Sequence, residues 1–114
     1  MAYINLTLIT KSDGKHWSST CKQTGTVTYG SSVEEADQNL KTTLDIQFKL
    51  LHADKGLKAY IEAKSLKVKP NNEKFERRIE KLPEEGFISC FRLEVPERYF
   101  TESRQELSSP KSRN

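Results

Sequence analysis

The segment of residues 24–51 constrains the fold more than any other part of the chain. It begins with a short threonine-rich run, after which Gly30 permits a left-handed corner. Ser32 can accept a hydrogen bond from the first free amides of a helix, and Glu35 can reach back to complete a capping box. A helix is therefore predicted to begin here.

Apolar residues continue from this start at spacings of three and four, which is the period of one helical face. The stripe consists of Val33, Ala36, Leu40, Leu44, Phe48 and Leu51. Two more apolar residues, Ile46 and Leu50, project to its side. The stripe must pack on another element, and we expect a further element to cover Ile46 and Leu50.

Sequences that alternate with period two lie on both sides of the helix and predict strands. They cover residues 3–9, 16–22, 26–29 and 87–95. Asp13-Gly14 suits a hairpin turn between the first two runs, and Pro96 stops the last one. This order predicts an α+β fold, with a small sheet of three to four strands and helices on one face.

Two assignments stay open for residues 57–66. Leu57, Tyr60 and Ile61 fit one helical face, whereas every second residue from Leu57 to Ala63 is apolar, as in a strand. The segment is predicted to be either a helix or a strand.

Residues 73–82 predict a short amphipathic helix, because Phe75, Ile79 and Leu82 fall at i, i+4 and i+7. Its outer surface separates the two signs of charge. The basic arc consists of Lys74, Arg77, Arg78 and Lys81, and the acidic arc of Glu73, Glu76 and Glu80.

A chain of 114 residues suits one domain. We place it at residues 1–100 and predict that the polar segment 101–114 is a disordered tail. Hydrophobic residues make up only 34% of the chain, so the core is small and we expect a homodimer or a higher homo-oligomer. No leader-like segment and no apolar run of about 18 residues is present, which predicts a cytoplasmic protein that does not enter a membrane.

Cys21 and Cys90 lie far apart, and no cysteine or histidine spacing indicates a metal site. We expect both to be reduced strand residues.

Several short segments resemble the HicB antitoxin family. They are Asp13-Gly14, residues 24–36 (TGTVTYGSSVEEA) and Asn39-Leu40. The resemblance covers about the first 50 residues. It implies a partial ribonuclease H-like fold of β-β-β-α-β type, in which the returning strand, residues 87–95, lies beside the first strand. Residues after Val95 do not match the DNA-binding segment with which regulatory HicB proteins usually continue.

The resemblance also implies a function, which is to hold a small RNA-cleaving toxin of HicA type inactive. For such a contact we expect acidic groups at the start of the helix, because an RNA-binding partner is basic. The candidate partner-binding residues are Glu34, Glu35 and Asp37, together with Trp17 as an aromatic anchor. Trp17 has an equally good alternative as a core residue under the helix.

The sequence predicts no enzyme, no catalytic residue, no metal and no cofactor. A complete ribonuclease H site needs a carboxylate in the first strand to help hold two magnesium ions, and this strand offers Asn5 and Thr7 instead. His16 and His52 have no catalytic partner at a recognisable spacing. The remaining candidates are therefore surfaces, including Tyr3, His16 and Tyr29 on the sheet face away from the helix.

An alternative function is nucleic-acid binding by a solitary homodimer. The net charge of +3 is concentrated in residues 55–81, which carry nine basic and four acidic side chains. The candidate contacts on this segment are Lys74, Arg77, Arg78 and Lys81. The same charge pattern is also typical of a solvated surface.

Overall fold

The computed structural model describes residues 2–70 and 86–100, and the backbone of residues 79–82. Its strands are β1 (Ala2–Ser12), β2 (Trp17–Cys21), β3 (Val27–Gly30), β4 (Val68–Lys69), β5 (Ile79–Leu82) and β6 (Gly86–Val95). Its two longer helices are α1 (Val33–Ala53) and α2 (Leu57–Ala63). The α+β class predicted from the sequence is confirmed.

The sheet is antiparallel and centred on β1. Its strand order is β3-β2-β1-β6-β5, and β4 pairs with β1 off this path. β6 follows β1 along nearly its whole length, from Ala2 opposite Val95 to Lys11 opposite Gly86. The other edge of β1 is shared, since β2 pairs with its second half and β4 with Tyr3 and Ile4.

The returning strand lies beside the first strand, as predicted. The sheet is larger than predicted, because the described residues contribute six strands to it rather than three to four. The two additional strands are β4, with two residues, and β5, with four. Whether the arrangement is the partial ribonuclease H-like fold stays a prediction.

The core lies between one face of the sheet and the two helices. Alternation directs Ile4, Leu6 and Leu8 of β1 toward Leu40 and Leu44 of α1, and these residues are fully buried. Burying such side chains is worth about 1.5–3 kcal/mol each. Leu57 and Ile61 of α2 join the same cluster, so residues 57–63 form a helix and the strand alternative is wrong.

The predicted helix start is confirmed, with two differences in detail. The Ser32 side chain caps α1 by accepting from the Glu35 amide at 3.1 Å, and the Glu35 carboxylate accepts from the Ser31 amide at 2.7 Å. Gly30 is not in the left-handed region. It is needed because a Cβ there would lie 2.4 Å from the Ala36 nitrogen.

The predicted helix at residues 73–82 is wrong over its last four residues. Ile79–Leu82 forms β5 and pairs with β6, from Ile79 opposite Ser89 to Leu82 opposite Gly86. A ladder beside an already formed strand outweighs a weak helical pattern. Residues 73–78 of the predicted helix and the predicted tail at 101–114 lie outside the described residues.

Ile46 and Leu50 are not covered as expected. Both are exposed in the described structure, at 52% and 60%. At the far end of α1, His52 instead contacts residues 97–100, which are helical. Its Nδ1 lies 2.7 Å from the hydroxyl of buried Tyr99. This contact fixes the chain after β6 against the end of α1.

Candidate functional site

A groove lies between α1 and the first half of β6. α1 packs on β3, β2 and β1, so it stands off-centre over the sheet and leaves the β6 side partly open. The groove is lined by Val33, Glu34, Asp37, Lys41 and Asp45 of α1 and by Phe87, Ser89 and Phe91 of β6. The side chains of these three β6 residues point to the α1 side of the sheet, opposite Thr10, Leu8 and Leu6 of β1.

The groove consists of two adjoining cavities. One, of about 320 Å³, is lined by Val33, Glu34 and Asp37 on one side and by Phe87 and Ser89 on the other. The other, of about 560 Å³, lies farther along α1 beside Asp45 and Phe91. Lys41 and Cys90 line both, so the cavities form one continuous surface.

The α1 wall of the groove is acidic. Lys41 lies 2.9 Å from Asp37, and both side chains are mostly buried. The Lys41 ammonium is also 5.9 Å from the centre of the Phe91 ring, within the range of a cation–π contact. Because Lys41 is held by Asp37 and Phe91, the exposed charge near the Phe87 end comes from Glu34.

The structure brings three of the four predicted partner-binding residues together. Glu34 and Asp37 line the same cavity as Phe87, and the Trp17 ring is tilted against Phe87 with centroids 6.3 Å apart. Trp17 is half-buried on the α1 side of the sheet, so it is neither a fully exposed anchor nor a fully buried core residue. Glu35 does not join them, because its carboxylate accepts from Ser31 at the cap.

Polar groups beneath the groove already have partners. Thr10 lines the cavity, and its hydroxyl is hydrogen-bonded to the hydroxyl of fully buried Ser19. This hydrogen bond satisfies both hydroxyl groups in the low-dielectric interior. The floor of the groove above the pair is therefore apolar. The available chemistry of the groove is therefore an apolar aromatic surface beside carboxylates.

Cys90 also borders both cavities, but it lies opposite Thr7 of β1, so its side chain points to the other face of the sheet. Burial raises the pKa of the Cys90 thiol above its ordinary value. The thiol is then protonated at neutral pH, whereas nucleophilic and metal-binding cysteines react as thiolates. Both cysteines are free, as the sequence predicted.

The residues that the structure describes contain no group of three or more His, Cys, Asp or Glu side chains placed to hold a metal ion. In the same part of the chain, no helix is both long enough and apolar enough to cross a membrane.

The chain was compared with known proteins. No family model, curated protein or solved structure matches it. The HicB-like interpretation therefore depends on the motif in residues 24–36 and stays a prediction.

The residues predicted on the sheet face away from the helix differ in exposure. Tyr3 is buried, with the Arg92 guanidinium 3.3 Å from its ring centre, so it is not available to a partner. Tyr29 is exposed on edge strand β3, and His16 is exposed in the turn after β1.

The predicted nucleic-acid contacts are not assembled in the described structure. Lys74, Arg77 and Arg78 lie outside the described residues, and Lys81 lies in β5 rather than on a helical arc.

The sequence analysis missed Phe87, Phe91 and Lys41 as groove residues. Alternation placed Phe87, Ser89 and Phe91 on one face of a strand. The sequence did not indicate that α1 stands over β2 and β3 and leaves this face partly open, because no local pattern determines where a helix crosses a sheet.

Proposed function

We propose that this protein is a non-catalytic binding module whose groove holds a basic protein partner. The observation that carries the proposal is the groove itself, in which the acidic wall of α1 faces Phe87 and Phe91. Half-buried aromatic side chains are the usual anchors of interfaces, and charged groups at the rim steer a partner of opposite charge.

The geometry favours a partner that presents lysine or arginine side chains. The aliphatic stem of such a side chain packs on an aromatic floor, and its cationic head reaches a carboxylate at the rim. Glu34 is the exposed carboxylate beside Phe87 and Trp17, and Asp45 lies at the other end of the groove. A basic segment laid along α1 meets the exposed Glu34 at one end, and at the other end it competes for Asp45 with Lys49, which lies 2.9 Å from that carboxylate.

The resemblance to HicB antitoxins gives this partner a specific form. A small RNA-cleaving toxin of HicA type has a basic surface for RNA, and a protein bound to that surface prevents cleavage. We therefore propose an antitoxin-type role in the cytoplasm, where the RNA lies. Support comes from the residues 24–36 motif and from the position of Glu34 and Asp37 at the groove.

The test begins with capture of the tagged protein from its own cells after nuclease treatment. The expected result is one small basic protein that survives the nuclease. The purified pair is then measured with E34K/D37K, for which we expect association at low salt to slow about tenfold or more. Glu94→Lys is the matched control for Glu34→Lys alone, since each reverses one charge, and Glu94 is exposed on β6 but points to the opposite face of the sheet.

Three results would count against the proposal. Equal weakening by Glu34→Lys and Glu94→Lys would show a general charge effect and no role for the groove. A partner that binds tightly but does not cleave RNA would support a binding role for the groove and contradict the proposal that the partner is a toxin. Recovery of nuclease-sensitive material alone would favour the alternative, a nucleic-acid surface on residues 55–81.

A further inference from the structure

The groove contains a cation of its own, the ammonium of Lys41. It lies 2.9 Å from the Asp37 carboxylate, and the Lys41 side chain is only 18% exposed. Lys49 forms a pair of the same length and the same i,i+4 spacing with Asp45, two turns farther along α1, yet its side chain is 76% exposed. The two pairs therefore differ in their surroundings rather than in their own geometry.

The surroundings that distinguish Lys41 come from β6. The Lys41 ammonium lies over the Phe91 ring, 5.9 Å from its centre. A cation over an aromatic face is attracted by the ring quadrupole, and the attraction is stronger where water is excluded. Lys41 also lines both cavities, so it stands where they join. We call the place between the Asp37 carboxylate and the Phe91 ring the central position of the groove.

A carboxylate and an aromatic ring are the two contacts that the proposed function assigns to a basic side chain of the partner. Lys41 already makes both contacts, so an incoming cation must compete with it for the central position. The competition arises because two cations beside one carboxylate repel each other. Glu34 is different, since it is exposed at the Phe87 end of the groove and open to either kind of cation.

Lysine and arginine differ in how well they compete for the central position. A partner lysine brings the same group that Lys41 already provides, so the exchange gains no contact. A partner arginine gains on both sides, because its planar guanidinium donates two parallel hydrogen bonds to one carboxylate and stacks on an aromatic face. A guanidinium is also more weakly hydrated than an ammonium, which lowers the cost of entering a mostly buried place.

We infer that the groove selects arginine over lysine, and that Lys41 sets this selectivity. The inference rests on the proposed function and narrows its partner to a protein that presents arginine side chains. Lys41 fills the central position until a guanidinium replaces it. A lysine-rich segment reaches only the carboxylates at the two ends of the groove and therefore binds more weakly.

Two blocked hexapeptides of equal charge test the selectivity, one of alternating arginine and glycine and one of alternating lysine and glycine. Trp17 is the only tryptophan of the chain and lies against Phe87, so its fluorescence reports binding in the groove. We expect the arginine peptide to bind the parent protein about fivefold or more tightly than the lysine peptide at low salt. The variant E34K/D37K, which reverses the acidic wall, should bind neither peptide.

Lys41→Gln tests whether Lys41 sets the preference. It removes the resident cation, so both peptides should bind more tightly and the lysine peptide should gain more. The ratio of the two dissociation constants should fall to about twofold or less. Lys49→Gln is the matched control, because it removes the same charge from the same helix. Its pair with Asp45 is mostly exposed, so exchange there is worth little for either cation and the parental ratio should remain.

The outcomes separate this inference from the proposed function, once circular dichroism has shown that each variant is folded. Equal binding of the two peptides to the parent overturns the selectivity and leaves a groove that binds basic chains. A preference for arginine that is as large in Lys41→Gln as in the parent overturns the role of Lys41. Parental binding to E34K/D37K places the peptides outside the groove and overturns the inference. If neither peptide binds the parent or Lys41→Gln at millimolar concentration, the selectivity and the proposed basic partner are both wrong.

Discussion

The two sides of α1 differ in chemistry although they belong to one helix. Toward β6 the helix presents Glu34, Asp37, Lys41 and Asp45 beside aromatic rings. Toward β3 it presents Asn39, Thr43, Ile46 and Leu50 beside an uncharged edge strand. Between them lies the buried stripe that attaches the helix to the sheet. The helix thus has two separate exposed surfaces, and the off-centre position of α1 over the sheet creates both.

The difference suggests two kinds of partner. Charged interfaces associate quickly and weaken with salt, whereas uncharged interfaces depend on buried apolar area. The groove therefore suits a charged partner, whereas the β3 side of α1 offers uncharged side chains, among them the exposed Ile46 and Leu50. Substitutions that act on one side of α1, on both sides or on neither side distinguish the roles of these two surfaces.

The largest effect is expected for Leu44→Ala, because Leu44 is fully buried beneath both surfaces. Removing its side chain should lower the free energy of unfolding by about 2–5 kcal/mol. Partner binding in the groove should then weaken as well. Leu50→Ala, on the exposed side of the same helix, should change the unfolding free energy of the monomeric chain by about 0.5 kcal/mol or less. Urea unfolding checks both values, and equal effects would contradict the assignment of the buried stripe.

Gly30→Ala should cost less, about 1–3 kcal/mol by overpacking. The new Cβ would lie 2.4 Å from the Ala36 nitrogen, so the start of α1 must move. Glu34 and Asp37 move with it, whereas Ile46 and Leu50 lie two to three turns farther on. We expect partner affinity to fall, because Glu34 and Asp37 line the groove.

Gly56→Ala is the control for this substitution. The atoms nearest to a Cβ at Gly56 are 3.9 Å away, so stability should hardly change. A Gly30→Ala variant as stable as Gly56→Ala would show that the approach of α1 to β3 is looser than the structure indicates.

The sequence predicted the elements whose signals are local. The cap at Ser32 and the alternation of residues 87–95 each depend on neighbours in the chain. The position of an element in the fold was harder to predict, because it depends on contacts between residues that are far apart in the chain. Ile79 and Leu82 fit a helical spacing, yet pairing with Ser89 and Gly86 places them in a strand.

The candidate site was predicted in part for the same reason. The acidic start of α1 is visible in the sequence, and so is the shared face of Phe87 and Phe91. Their meeting across a groove depends on where the helix crosses the sheet. β5 and β6 are separated by only a few residues, and so short a connection favours an antiparallel hairpin. In the structure this pairing outweighs the helical spacing.

Lys41→Gln tests the charged side alone. It removes the ion pair with Asp37 and the contact with Phe91, which should cost about 0.5–1 kcal/mol. It also makes the groove more acidic, so a basic partner should associate faster at low salt. Lys49→Gln is the control, because Lys49 forms an equally short pair with Asp45 but is mostly exposed, and its loss should be hard to detect. Slower association of Lys41→Gln would mean that Lys41 itself contacts the partner.

The smallest effect is expected at Asp13, which lies in the turn between β1 and β2 and belongs to neither side of α1. Its carboxylate accepts hydrogen bonds from the amides of His16 at 2.6 Å and Lys15 at 3.1 Å. These bonds, the one from His16 first, lower the pKa of Asp13 below the ordinary 3.8. A lowered pKa in the folded state stabilises the fold above the unfolded-state pKa, and this contribution is lost as the pH falls through the folded value.

Asp13→Asn should therefore be slightly less stable than the parent at neutral pH, and the difference should shrink as the pH falls below about 4. Urea unfolding across this range measures the difference, while mass in solution and partner binding at neutral pH should match the parent. A deficit that persists unchanged in acid would assign the effect to hydrogen-bond geometry rather than to charge. A change in partner binding would show that the β1–β2 turn contributes to the binding surface, and the two sides of α1 would then not be the only surfaces that matter.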